Sequence, residues 1–91
     1  MSRIEILHSH DRTPEQARQA VEDIAAKLRD RHGLETHWEG DAIRLSGTGI
    51  DGSVQMQPGQ VRVVAELGFL LSALSGMVES EIRRVLEDKL G

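Results

Sequence analysis

His8 and His10 stand one residue apart, a spacing that in a strand places both side chains on one face. With His37 or a carboxylate they would offer imidazole nitrogens to a metal ion. No third ligand follows at a recognisable spacing. His10 is better placed in a polar connection before a helix, hydrogen-bonding backbone, and no metal is expected. The run Gly47-Thr48-Gly49-Ile50-Asp51-Gly52 spells G-x-G-x-x-G. That motif holds a pyrophosphate only where a strand leads in and a helix N-terminus follows. Here residues 53–57 alternate and run into Pro58-Gly59, so the glycines read as hairpin and bulge residues, with no cofactor implied. The carboxylate pairs Glu22-Asp23, Glu79/Glu81 and Glu87-Asp88 lie beside basic residues at helical spacing, for example Glu79 with Arg83. Such pairs are solvated and individually weak. The chain has no cysteine, which excludes thiol catalysis, thiolate zinc sites and disulfides. No Ser-His-Asp or lysine-centred arrangement singles out a nucleophile. No catalytic residue is assigned, and a binding role is favoured over an enzyme.

Residues 67–78 carry no charge. A helix packed on a sheet needs one apolar stripe, which Leu70 or Leu71, Leu74, and Met77 or Val78 supply. Phe69, the second leucine of the pair and Ala73 widen that stripe. One reading is a buried helix start that covers the open end of a sheet. The functional reading is an interaction patch of Leu67, Phe69, Leu70, Leu71, Leu74 and Met77, facing a partner chain, a lipid-like ligand or a hydrophobic granule.

The elements that would position these residues are legible from periodicity. Residues 3–8 alternate as a strand. Thr13, Pro14 and Gln16 form a helix start with a capping box, and Glu15 suits the helix dipole. Ala17, Ala20, Val21, Ile24, Ala25 and Leu28 make one stripe, and Gly33 ends the helix, placed at 14–32. Four strands then follow with short turns at Gly40-Asp41, 47–49 and Pro58-Gly59, as in an antiparallel meander. A second helix is expected over 69–90, with close packing or a small kink at Gly76. The order β-α-β-β-β-β-α predicts an α+β, two-layer domain over 1–91. The favoured sheet is antiparallel, in the order 2-3-4-5-1, with both helices on one face. The opposite face would carry Arg3, Glu5, Glu35, His37, Arg44, Asp51, Ser53, Gln55, Arg62 and Glu66.

The balance of 11 Lys+Arg against 15 Asp+Glu, a net charge of −4, argues against a nucleic-acid partner held by phosphate attraction. Trp38 and Phe69 are the sole aromatics, too few for a base-stacking platform. No apolar run reaches the length of a spanning helix and the N-terminus is not a signal peptide, so a cytoplasmic location is expected.

Several pieces together carry a resemblance: His10, Ala17-Arg18, Trp38-Glu39-Gly40-Asp41, Gly49-Ile50-Asp51-Gly52, Leu67-Gly68-Phe69-Leu70-Leu71 and the closing amphipathic helix. With these the chain resembles, over essentially its whole length, a small bacterial family of polyhydroxyalkanoic acid system proteins, also described as granule-region proteins. The W-E-G-D and G-[VI]-D-G pieces are the specific ones. The chain departs from the family pattern at Leu45, where an aromatic is expected, and at Ile50, where valine is usual. The resemblance implies a setting near polyester storage and supplies no catalytic residue. Physically, Trp38 would fill the core near the first hairpin, and Gly52 would make room for a helix or mark a bulge. Asp51 would point outward toward Arg44 or Arg62.

The leading expectation is a non-enzymatic accessory protein. It would contact a polyhydroxyalkanoate granule, a granule protein or its own twin as a homodimer through the apolar patch. The alternative is a carrier or enzyme for a small hydrophobic ligand. That reading requires a closed apolar cavity of a few hundred Å³ between sheet and helix, at roughly the lower end for ligand pockets.

Overall fold

The computed structural model describes residues 2–69 and 71–91. The chain runs β1 (Ser2–Ser9), α1 (Pro14–His32), β2 (Glu35–Glu39), β3 (Ala42–Gly47), β4 (Ile50–Gln57), β5 (Gln60–Leu67), a 3₁₀ turn (Ser72–Leu74) and α2 (Ser75–Leu90). The first helix starts and stops where its sequence directs. Thr13 Oγ1 accepts from the Gln16 backbone N–H at 3.1 Å, and Gln16 Oε1 accepts from the Thr13 N–H at 3.1 Å. Gly33, at φ 65°, closes the other end by donating its N–H to the Arg29 carbonyl.

The five strands form one antiparallel sheet in the order β1-β5-β4-β3-β2, the favoured sequence order read from its other edge. Register aligns the inward residues into rows across the sheet. Trp38, Ile43, Val54, Val63 and Ile6 make one row; Thr36, Leu45, Gly52, Ala65 and Ile4 make the next. α1 packs over β2, β3 and β4, while α2 packs over β1 and against α1. Both helices bury their apolar stripes in the same core as the sheet. Val21, Ile24, Val54, Val61, Val63, Ile82 and Leu86 fill the sheet–helix space and are at most 2% exposed. Among the described residues these side chains fill the sheet–helix space in which a ligand carrier would hold its cavity, and nothing there supports that alternative.

The open face carries the expected polar set, but its ion pairing differs from expectation. Arg62 donates to Glu5 at 2.9 Å rather than reaching Asp51. The ladder explains this. Arg62 faces Leu7 on the adjacent strand, two residues from Glu5 and on the same sheet face, whereas on the other side it faces Gln55, four residues from Asp51.

The second helix begins at Ser75, not at 69. Gly68, just past the end of β5, stays tied to the sheet, since its N–H donates to the Gly49 carbonyl at 2.7 Å. The chain must then turn to cross back over the core. The Gly68 carbonyl organises that turn by accepting from the Leu71 and Ser72 N–H groups and the Ser72 hydroxyl. Gly76 therefore lies in the first turn of α2 with open space around it, and no close packing explains it.

Candidate functional site

The end of β5 and the start of α2 sort the expected patch residues into three environments. Leu67 closes β5 with its side chain in the core, 1% exposed, and is removed from any contact surface. The reason is alternation: Val61, Val63, Ala65 and Leu67 share the helix-facing side of the strand. Leu71 is half-buried and packs against the core from outside. Its Cδ1 would sit 3.6 Å from a β-carbon placed on Gly49, so it covers the β3–β4 turn. Phe69, Leu74 and Met77 are outward, at 86%, 43% and 61% exposure. Leu70 lies outside the described residues. What remains of the six-residue patch on the surface is Phe69, Leu74 and Met77, with Leu71 half-covered and Ala73 also exposed.

This surface rests on a fixed base. The Gly68–Gly49 hydrogen bond ties the β5 exit to the glycine turn of β3–β4. Gly49 has φ 79°, in the left-handed region that glycine adopts without strain. A β-carbon on Gly52 would meet the Val64 carbonyl oxygen at 2.5 Å and Ala65 Cα at 3.1 Å. Gly47, Gly49 and Gly52 thus shape a hairpin and a close strand approach. No helix opens after them to receive a phosphate.

The histidines at the opposite end do not assemble. β1 stops at Ser9, so His10 leaves the strand that carries His8. Its Nδ1 accepts from the Arg12 backbone N–H at 3.0 Å, and the His10 backbone N–H donates to the Gly59 carbonyl at 2.9 Å. His37 stands opposite Arg44 on the open sheet face. Among the described residues no group of three or more His, Cys, Asp or Glu side chains is placed to hold a metal ion. Beside His10 lies a surface cavity of about 390 Å³, lined by Pro14, Ala17, Met56, Pro58 and Asp41 among others. On the open sheet face a shallow concavity of about 550 Å³ is bordered by Arg44, Asp51, Ser53, Gln55 and Glu66.

Charge on the open face is organised by Glu5. The hydrogen bond from Arg62 and the nearby Arg62 charge hold its carboxyl below the ordinary range, with a smaller contribution from Arg3. Arg3 approaches Glu5 at 3.4 Å and Glu66 at 3.8 Å. The periodic pattern also concealed one contact: the Arg18 guanidinium lies 4.0 Å from the centre of the Trp38 ring. Only the fold brings α1 over β2, so no local spacing signals that pair. No helix among the described residues is long and apolar enough to cross a membrane.

Residues 4–90 match a protein-family model described as "Putative polyhydroxyalkanoic acid system protein". No curated protein matches the chain, and no solved structure matches it.

Proposed function

Because the chain belongs to the family of putative polyhydroxyalkanoic acid system proteins, we propose that it is a non-enzymatic accessory protein of polyhydroxyalkanoate storage. It acts in the cytoplasm at the granule, and it contacts the polyester surface or a granule protein through Phe69, Leu74 and Met77. The observation that carries this reading is the exposure of these three large apolar side chains on a stretch without charge. Burying an exposed side chain of this size contributes roughly 1.5–3 kcal/mol. Exposed apolar side chains of this size favour reversible adsorption to an apolar particle. The fixed turn beneath them reduces the ordering cost of contact.

Co-sedimentation of the purified protein with isolated polyhydroxyalkanoate granules tests the reading. Phe69→Ser combined with Met77→Ser should weaken binding by more than about tenfold while leaving the melting temperature unchanged. Leu67 and Leu71 are unsuitable, since both contribute to packing. Failure of the wild-type protein to sediment with granules, or equal sedimentation of the double variant, overturns the assignment.

A further inference from the structure

β1 is an edge strand, and its hydrogen-bonding pattern shows which of its residues are left unpaired. The His10 N–H donates to the Gly59 carbonyl, one step beyond the Ser9–Gln60 pair of the β1–β5 ladder. In an antiparallel ladder, hydrogen-bonded and non-hydrogen-bonded pairs alternate. His8, Ile6, Ile4 and Ser2 therefore bond to β5, and Arg3, Glu5, Leu7 and Ser9 direct their N–H and C=O groups away from the sheet. The β4–β5 ladder gives the same parity. Its Gly68–Gly49 bond assigns the even residues of β5 to β4 and the odd ones to β1.

Edge strands are usually blunted by shortness, proline, a bulge or unopposed charge. The opposite edge, β2, spans five residues and carries Glu35, His37 and Glu39 outward. β1 spans eight residues in unbroken register, has no proline, and exposes Leu7 at 58%. Its charges, Arg3 and Glu5, are of opposite sign and occupy adjacent unpaired positions.

From this arrangement we infer that β1 pairs antiparallel with β1 of a second copy, joining two sheets into one of ten strands. Hydrogen bonding requires that the odd residues of one copy face the odd residues of the other. In the register with Ile4 on the two-fold axis, Arg3 faces Glu5 of the other copy, and the contact occurs twice. In the next register Glu5 faces itself, and like charges directly opposite are unfavourable. The sequence of the edge is thus self-complementary in charge in the first register. A symmetric pairing of this kind closes on itself and leaves no further edge of the same type.

Arg3 and Glu5 are not among the patch residues Phe69, Leu74 and Met77, so different substitutions test the two proposals. Sedimentation equilibrium of the full chain should give the mass of two chains. Glu5→Arg, which sets Arg3 against a new arginine, should weaken self-association by about tenfold. Combining Arg3→Glu with Glu5→Arg restores the opposite-charge pairing and should restore the dimer. Glu5→Pro should also give monomer, because its lost N–H bonds to nothing within the chain and proline is tolerated at such an edge position. Circular dichroism checks the fold of each variant. A wild-type monomer at every concentration overturns the proposal. So does a dimer insensitive to Glu5→Arg, or one lost instead on substitution of Phe69 and Met77. Should Glu5→Pro fail to fold, the charge-exchange pair decides alone.

Discussion

Arg31 on α1 stands 3.2 Å from Glu81 on α2, and eight residues away along both helices Asp23 stands 3.4 Å from Lys89. The two ion pairs have opposite polarity, so they fit only when the helices run antiparallel in this register. They differ in surroundings. The Glu81 side chain is 20% exposed, whereas Asp23 and Lys89 are both more than a third exposed. Both helices are buried in the shared core, and the ion pairs match the alignment that packing gives.

Arg31→Ala should therefore cost more than Lys89→Ala. Removing Arg31 leaves a half-buried carboxylate without its partner, at a cost of about 1 kcal/mol. Removing Lys89 leaves an exposed Asp23 and should cost less than about 0.5 kcal/mol. Urea unfolding of both variants gives the comparison, and equal losses would contradict the difference in environment.

Trp38 is the chain's one tryptophan, so its fluorescence reports directly on the Arg18 contact. Arg18→Ala uncovers one ring face to water. The emission should shift to longer wavelength, with a stability loss of about 0.5–1 kcal/mol, as for an exposed cation–π pair. Unshifted emission would show that the guanidinium does not shield the ring.

Two glycine-to-alanine changes should act in opposite directions. At Gly52 the new methyl meets the backbone of β5, which has no free rotor to move aside, and a loss of about 1–3 kcal/mol is expected. At Gly76 the methyl meets open space within a helix, and a gain of up to about 1 kcal/mol is expected. Thermal melts of the two variants, measured together, test whether the strand approach alone explains Gly52.

The depressed pKa of Glu5 makes a small, directional pH dependence. In the unfolded chain Arg62 no longer holds the carboxyl down, so its pKa returns to the ordinary range. The pair's contribution is therefore complete above that unfolded value and is lost as pH falls through the lower folded value. Glu5→Gln should flatten the acid side of the stability profile and leave the alkaline side unaltered. An identical acid limb in the variant would remove Glu5 as its source.

Local patterning was enough to place α1, since Thr13, Pro14, Gln16 and Gly33 act within a few residues of one another and satisfy backbone groups wherever the helix lies. It was enough as well for the meander, because two-residue turns leave each strand no neighbour but the next. Alternation even separated Ile43, Val54 and Val63 from the polar face. Three features depended on distance through space. Phe69 and Leu67 belong to the same uncharged run, yet one is exposed and the other buried, because β5 ends at Leu67 and the chain turns away at Gly68. The start of α2 moved to Ser75 for the same reason. Glu5, rather than Asp51, took Arg62 because β1 returns beside β5, a pairing of residues 57 apart in the chain that no window of sequence contains. Periodicity encodes which face a side chain occupies; the closing of long loops decides which other faces it meets.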